Sequence, residues 1–214
     1  MDAKERIDSV FGLLDTWRNL PAYQLERRAD IFFAIYLSKI IKDRFGKEIN
    51  CLIPEFPVRV GHVIEKNDCV TPNRSFKIDY VVVAEEADTV FLIELKTDAS
   101  SRRDKQDWYL RRAKEINIPG LTEGILEICK ATVSLKKYDN LISLLGSAGW
   151  VDSQTRENTA RPYNIEIVYI QPKESGENNV ISFDRIIECL RDEDDYLSRR
   201  FAQSLELWKN DPNR

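Results

Sequence analysis

Residues 76–98 read FKIDYVVVAEEADTVFLIELKTD, and this stretch decides how the fold of the whole chain is interpreted. Two apolar runs rich in Val, Ile, Phe and Tyr flank a short polar segment, which is the pattern of a β-hairpin. We predict its strands over 75–84 and 89–97. Because a charge inside an apolar hairpin is costly, the charged residues that interrupt the pattern need an explanation. These residues are Asp79, Glu94 and Lys96.

The three charges are expected to meet on one face of the hairpin. Side chains alternate along a strand, so Glu94 and Lys96 point the same way, and a simple register brings Asp79 to the same end of the sheet. Two carboxylates ~4 Å apart repel by about 4 kcal/mol at an effective dielectric of 20, which a shared proton, Lys96 or a divalent cation would offset. Hard carboxylate oxygens suit Mg²⁺ or Mn²⁺. The alternative is a solvated Glu-x-Lys surface pair.

The remaining periodicity predicts an α/β (α+β) fold. We expect a central mixed sheet of about four to five strands, with a three-stranded antiparallel meander, flanked by helices. Pro54 and Pro57 indicate that the first strand lies at an edge or carries a bulge, and the apolar run 163–172 indicates an interior strand. Further strands are predicted over 48–60 and 178–183, and helices over 3–18, 23–45, 100–116, 121–146, 184–190 and 194–210.

Composition limits the chemistry. The 214 residues fit one domain, and the net charge of -4 excludes a uniformly cationic surface, so any nucleic acid must bind a local basic patch. His62 is the single histidine, which excludes two-histidine metalloprotease motifs. None of the four cysteines forms a C-x-x-C pair, which argues against zinc. The charged start MDAKERID and the lack of a long apolar run predict a cytoplasmic protein with no membrane span.

At Asp79 and Glu94-Leu95-Lys96 the sequence resembles the PD-(D/E)XK nuclease superfamily, which has the restriction-endonuclease-like fold. Ile78 stands where the motif has Pro. The resemblance covers about 22–172 and implies a single nuclease-like domain over 1–214, with the helix 3–18 and the segment 178–210 as decorations.

The resemblance implies a Mg²⁺-dependent nuclease that hydrolyses phosphodiester bonds, with DNA as the expected substrate. It implies that Asp79, Glu94 and the Leu95 carbonyl bind Mg²⁺ or Mn²⁺, and that Lys96 assists the attack of water. Members often carry a further Glu on the helix before the meander, which Glu26 fits.

Other residues extend the predicted site. Glu55, among apolar neighbours, is an alternative to Glu26 as the additional acid, and the sequence does not rank the two. From 96 to 114 the chain carries seven basic and three acidic residues, as a phosphate-binding segment should. Trp108 could stack on bases, but packing in the core is the favoured interpretation. The candidate nucleic-acid-binding residues are Arg102, Arg103, Lys105, Gln106 and Tyr109.

Two other functions remain open from the sequence. One is a catalytically silent nuclease-like module that binds nucleic acid or a protein partner, which the acidic net charge favours. The other is a structural α/β module in which Glu94 and Lys96 pair only with each other. A homodimer is compatible with the sequence, while DNA against RNA and endonuclease against exonuclease stay undecided.

Overall fold

The computed structural model describes residues 1–64, 71–84, 86, 88–98 and 104–210, apart from the side chain at 135. Within these ranges, none of the helices combines the length and apolar character that crossing a bilayer requires. The helices are α1 (Ala3–Trp17), α2 (Glu26–Phe45), α3 (Val60–Val63), α4 (Asp104–Ala131), α5 (Asp139–Ser147), α6 (Phe183–Leu190) and α7 (Tyr196–Lys209). The strands are β1 (Cys51–Arg59), β2 (Ser75–Ala84), β3 (Thr89–Leu95), β4 (Asn164–Gln171) and β5 (Val180–Ser182).

The strands form one five-stranded mixed sheet in the order β1-β2-β3-β4-β5. β1 pairs antiparallel with β2, and β2 antiparallel with β3, which confirms the predicted meander. β4 and β5 pair in parallel. The strand with Pro54 and Pro57 is at the edge, where a missing backbone N–H is tolerated, and β4 is interior, as its apolar run predicted. The mixed α/β class with flanking helices is therefore confirmed.

The chain divides into two compact units, each assembled from separated segments. The first, which we call the helical unit, comprises Met1–Glu48, Leu95–Arg102 and Val168–Arg214. The second, which we call the meander unit, comprises Ile49–Glu94 and Arg103–Ile167. Each unit buries apolar residues of its own.

An aromatic cluster forms the core of the helical unit. Phe201 of α7 is fully buried, and its ring lies edge-on to Phe33 of α2 with centroids 5.1 Å apart. Phe11 of α1 completes the contact at 6.0 Å from Phe201. Gly46 ends α2 with a φ of 67°, a left-handed conformation that glycine adopts without steric cost. The helix predicted over 23–45 is thus confirmed at its end and starts three residues later.

The meander unit confirms the predicted break between the helices expected over 100–116 and 121–146. Asn117, with φ 63° and ψ 170°, is not helical and divides α4 into two helical segments. The Asn117 side chain accepts hydrogen bonds from the N–H groups of Ile118 and Tyr163, at 2.7 and 3.0 Å, and so supplies partners at the kink. Pro119 then lies in the first turn after it, where no N–H is required.

The predicted second helix also ends earlier than expected. α4 stops at Ala131, and a 3₁₀ turn over Leu135–Tyr138 precedes α5. The hydroxyl of Thr132 accepts a hydrogen bond from Ser134 N–H at 3.2 Å, a local turn that competes with helix continuation. Periodicity alone did not reveal this break, because apolar residues continue at helical spacing on both sides.

Candidate active site

Three acidic residues stand in one row across the meander. Pro54 pairs with Tyr80 and Phe56 pairs with Ile78, so Glu55 of β1 stands across from Asp79 of β2. On the other side Tyr80 pairs with Ile93, and the same register continued by one residue sets Asp79 opposite Glu94 of β3. Neighbouring strands are about 4.8 Å apart. We call Glu55, Asp79 and Glu94 the carboxylate row; the register agrees with the predicted placement of Asp79 and Glu94 at one end of the hairpin.

Burial changes along the carboxylate row. Glu94 is 2% exposed, Asp79 is half-buried and Glu55 is exposed. α4 packs against β1, and Gln106 of α4 donates a hydrogen bond from Nε2 to Oε1 of Glu94. A charge-assisted hydrogen bond of this kind orients the carboxylate. The row therefore runs from an enclosed acid that is held by an amide to an acid that solvent reaches.

Glu55 has an unusual backbone. Its φ of 49° is in the left-handed region, which costs an L-residue other than glycine roughly 1–2 kcal/mol. Such strain concentrates at functional sites. Lys77 lies two residues before Asp79 on β2 and interacts electrostatically with Glu55. Burial lowers the pKa of Lys77, and the Glu55 carboxylate partly opposes that shift. Sequence reasoning missed Lys77, although strand alternation already placed it on the face of Asp79.

Lys96, Leu95 and Glu26 belong to the helical unit. Lys96 is 4% exposed, and its backbone N–H donates to the Ile170 carbonyl at 2.7 Å. Its Nζ donates to the Leu95 carbonyl at 3.0 Å and lies 3.8 Å from Oε2 of Glu26. A buried ammonium requires such oxygen partners. Glu26, the first residue of α2, is thus an ion-pair partner of Lys96, whereas Glu55 stands across from Asp79.

The candidate nucleic-acid-binding residues are described in part. Arg102 and Arg103 lie outside the described residues. Lys105, Gln106 and Tyr109 are in the first turns of α4. Tyr109 stacks on Phe76 of β2, with ring centroids 4.5 Å apart and an angle of 27°. Gln106 thus contacts Glu94, and Tyr109 contacts Phe76. One polar contact and one aromatic contact therefore hold this part of α4 against the meander.

The remaining titratable cluster of the meander unit is structural in character. The Nδ1 of His62 lies 3.0 Å from the Gly120 carbonyl, and its Nε2 lies 2.9 Å from Oε2 of Glu127. Arg59 contacts the same carboxylate oxygen at 2.6 Å. These contacts join α3 to α4, and a Cβ added at Gly124 would lie 3.3 Å from His62 Nδ1, so the packing is close.

The chemistry of the carboxylate row suits a hard divalent cation, but its side chains are not gathered around one point. In the part of the chain that the structure describes, no three His, Cys, Asp or Glu side chains are close enough together to hold a metal ion. Asp79 and Glu94 supply oxygen donors from opposed positions on adjacent strands, which is the donor type that Mg²⁺ and Mn²⁺ prefer. The donor set fits the predicted ion, and binding would require the side chains to draw together.

Comparison of the chain with protein-family models, with curated proteins and with solved structures finds no significant match. The functional argument therefore depends on the carboxylate row, on Lys96 and on the surfaces around them.

Proposed function

We propose that the protein is a Mg²⁺- or Mn²⁺-dependent nuclease that hydrolyses phosphodiester bonds, with DNA as its substrate and a restriction-endonuclease-like fold. The observation that carries the proposal is the register of the meander, in which Tyr80 pairs with Ile93, so that Asp79 and Glu94 occupy the next positions on β2 and β3. Like charges placed directly opposite each other on neighbouring strands are destabilising, so a role in ligand binding explains why both are present. Lys96 follows Glu94 by two residues, which is the spacing of the (D/E)-x-K motif that the sequence resembles.

Each residue has a distinct role in this proposal. Asp79 and Glu94, with the Leu95 carbonyl, would hold the divalent ion, which when bound lowers the pKa of water and stabilises charge on a phosphoryl oxygen. Gln106 keeps the Glu94 carboxylate oriented through its hydrogen bond. The Lys96 ammonium donates hydrogen bonds to the phosphoryl oxygens, which gain negative charge as the bond breaks. Either Glu55 or Glu26 would serve as the additional acid, and the position of Glu55 across from Asp79 favours Glu55.

Metal binding is tested first. Titration calorimetry with Mn²⁺ should give binding for the wild type, weaker binding for Glu94→Gln and none for Glu94→Ala. Glu157→Ala removes an exposed acid from the same unit and should bind Mn²⁺ as the wild type does. Circular dichroism and the Tm of each variant confirm that it is folded. Equal Mn²⁺ binding by the wild type and a folded Glu94→Ala would contradict the proposed metal site.

Catalysis is tested separately. Plasmid nicking in Mg²⁺ should fall by about 100-fold or more in Lys96→Ala, the loss typical of removing one group that stabilises transition-state charge. Because Lys96 is buried, Lys96→Met, which keeps the apolar stem, is made alongside it. Lys173→Ala, at an exposed lysine, should nick at the wild-type rate. A purified wild type that cuts neither DNA nor RNA in any form would refute the nuclease.

A second function is favoured by a different observation in the helical unit. Between α1 and α2 lies a groove of about 410 Å³, lined mostly by apolar side chains that include Val10, Trp17 and Ile31. Exposed apolar surface of this kind marks binding sites for proteins or ligands. We therefore keep, as the alternative, a catalytically silent module that binds nucleic acid or a protein partner. Normal Mn²⁺ binding without any nicking would favour this alternative.

A further inference from the structure

An aromatic surface lies at the start of α4. Trp108 is 40% exposed, whereas Trp150 and Trp208 are at most 2% exposed. The Trp108 ring lies edge-on to Tyr109, with centroids 5.2 Å apart, and Tyr109 stacks on Phe76 at 4.5 Å. Three aromatic rings thus form a continuous series that ends at an exposed indole. We call Phe76, Tyr109 and Trp108 the aromatic platform.

Cationic side chains surround this platform at helical spacing. Lys105 and Arg111 are three residues before and after Trp108, so both are its neighbours on the helix surface. The Nζ of Lys105 lies 5.8 Å from the centroid of the Tyr109 ring. Arg112, one turn after Trp108, is paired with Glu115, while Arg111 is exposed and makes no ion pair within the described part of the chain. Asp104 and Asp107 precede Trp108, and they are the acids of this turn.

The combination is unfavourable for the isolated protein. An exposed indole leaves its apolar surface in water. Single-stranded nucleic acid supplies partners for both features, because its bases stack on aromatic rings and its phosphates attract ammonium and guanidinium groups. In a duplex the base faces are already stacked on each other, so an exposed ring on a helix surface cannot reach them without unstacking.

The platform lies on the helix that contacts the carboxylate row. Gln106 holds Glu94, and Trp108 follows it by two residues, which places the indole on the far side of a helix about 10–12 Å wide. The ring of Tyr109, three residues after Gln106, contacts the Trp108 ring and so connects the two sides of the helix. We infer that the aromatic platform binds an unpaired segment of nucleic acid by base stacking, on the helix that contacts the carboxylate row, and so gives the protein a preference for single strands or frayed ends. This inference rests on the proposed function.

Binding is measured in EDTA, where cleavage does not interfere, with oligo(dT), oligo(rU) and a DNA hairpin duplex as probes. Trp108→Ala should weaken oligo(dT) binding by about tenfold to 100-fold, the effect of losing one stacked base. Trp108→Phe should retain most of the affinity, because a ring remains. Leu207→Ala removes another exposed apolar side chain, in the helical unit and outside the groove between α1 and α2, and should bind oligo(dT) as the wild type does. Duplex affinity should change by less than about twofold in Trp108→Ala, because no base stacks there.

Fluorescence gives a second readout. Oligo(dT) should quench part of the tryptophan emission of the wild type and of Leu207→Ala, and this quenching should be absent in Trp108→Ala. Comparison of oligo(dT) with oligo(rU) distinguishes DNA from RNA as the source of the strand. Support requires both the affinity loss and the lost quenching.

The outcomes separate this inference from the proposed function. If Mn²⁺-dependent nicking is present but Trp108→Ala binds oligo(dT) as the wild type does, the platform is refuted and the nuclease stands. Equal losses for oligo(dT) and duplex would overturn the single-strand preference. Oligo(dT) binding that requires Trp108, in a protein that never cuts, would support the platform and refute the nuclease.

Discussion

In the helical unit Asp15 accepts hydrogen bonds from Trp208 Nε1 at 2.8 Å and from Arg200 Nη2 at 2.7 Å, whereas in the meander unit Glu55 stands across from another acid, Asp79. Asp15 and Arg200 are both mostly buried, at 14% and 13% side-chain exposure. The first arrangement pairs an acid with a cation and an indole N–H. The second sets like charges on neighbouring strands.

In this protein, the groups that surround an acid indicate whether it serves the fold or a binding site. An acid that is held by donors stabilises the fold, because a hydrogen bond to a charged group contributes about 1.5–3 kcal/mol. Acids that face each other across a meander lower stability. Mutations of the two kinds of acid should therefore change the stability of the protein in opposite directions.

The largest expected change comes from Asp15→Asn. The substitution removes the charge that pairs with Arg200 and one acceptor oxygen, so we expect a loss of about 1.5–3 kcal/mol in the free energy of unfolding. Urea denaturation measures this loss, and an unchanged m-value shows that the mutation changed stability rather than the surface exposed on unfolding. Asp192→Asn, at an exposed acid, should change stability by less than about 0.5 kcal/mol. An Asp15→Asn variant as stable as the wild type would remove the contrast between the units.

A smaller loss is expected at the N-cap of α7. The Asp195 side chain accepts a hydrogen bond from Ser198 N–H at 2.9 Å, and Asp195→Ala should cost about 1 kcal/mol at pH 7. Hydrogen bonds from the Ser198 hydroxyl and then its N–H lower the pKa of Asp195. A lowered folded-state pKa means that the cap stabilises the protein above the unfolded pKa of about 3.9 and loses this effect as the pH falls through the folded value.

The cap therefore has a pH signature that separates it from a general packing effect. The stability difference between wild type and Asp195→Ala should be constant from pH 7 to about pH 5 and should shrink in more acidic solution. Denaturation curves at several pH values measure it. Asp194→Ala, at a fully exposed neighbour, serves as the control. A difference that does not change with pH would mean that Asp195 acts through something other than its charge.

The fold could be predicted from the sequence where local pattern decides it. Val and Ile runs fixed the strands near 76–98, and Pro54 and Pro57 identified the edge strand, because a missing N–H restricts a strand without reference to distant residues. The facing positions of Asp79 and Glu94 followed from the hairpin register. These features depend on contacts that are close along the chain.

Other features depend on contacts that are distant along the chain, and the sequence did not reveal them. The sequence predicted a helix break before residue 121, but not that the Asn117 side chain exchanges hydrogen bonds with the backbone of Tyr163, 46 residues away. Trp108 and Tyr109 are adjacent aromatic residues on one helix, and periodicity does not say which of them finds a partner. Phe76 stacks on Tyr109, and Trp108 stays exposed. The favoured interpretation of Trp108 as a core residue was therefore wrong. The left-handed φ of Glu55 has no sequence signal such as Gly or Asn.

The smallest stability change tests the carboxylate row itself. Glu55→Gly removes the cost of a left-handed φ, roughly 1–2 kcal/mol, and adds the flexibility of glycine, which costs about 0.5–1 kcal/mol. A net gain of about 0.5–1 kcal/mol should appear in urea denaturation, while Mg²⁺-dependent nicking falls because an acid of the row is lost. Glu55→Gln keeps the strained backbone and should lose nicking without the gain. If Glu55→Gly lowers both stability and nicking, Glu55 is retained, like Asp15, for folding rather than for binding a ligand.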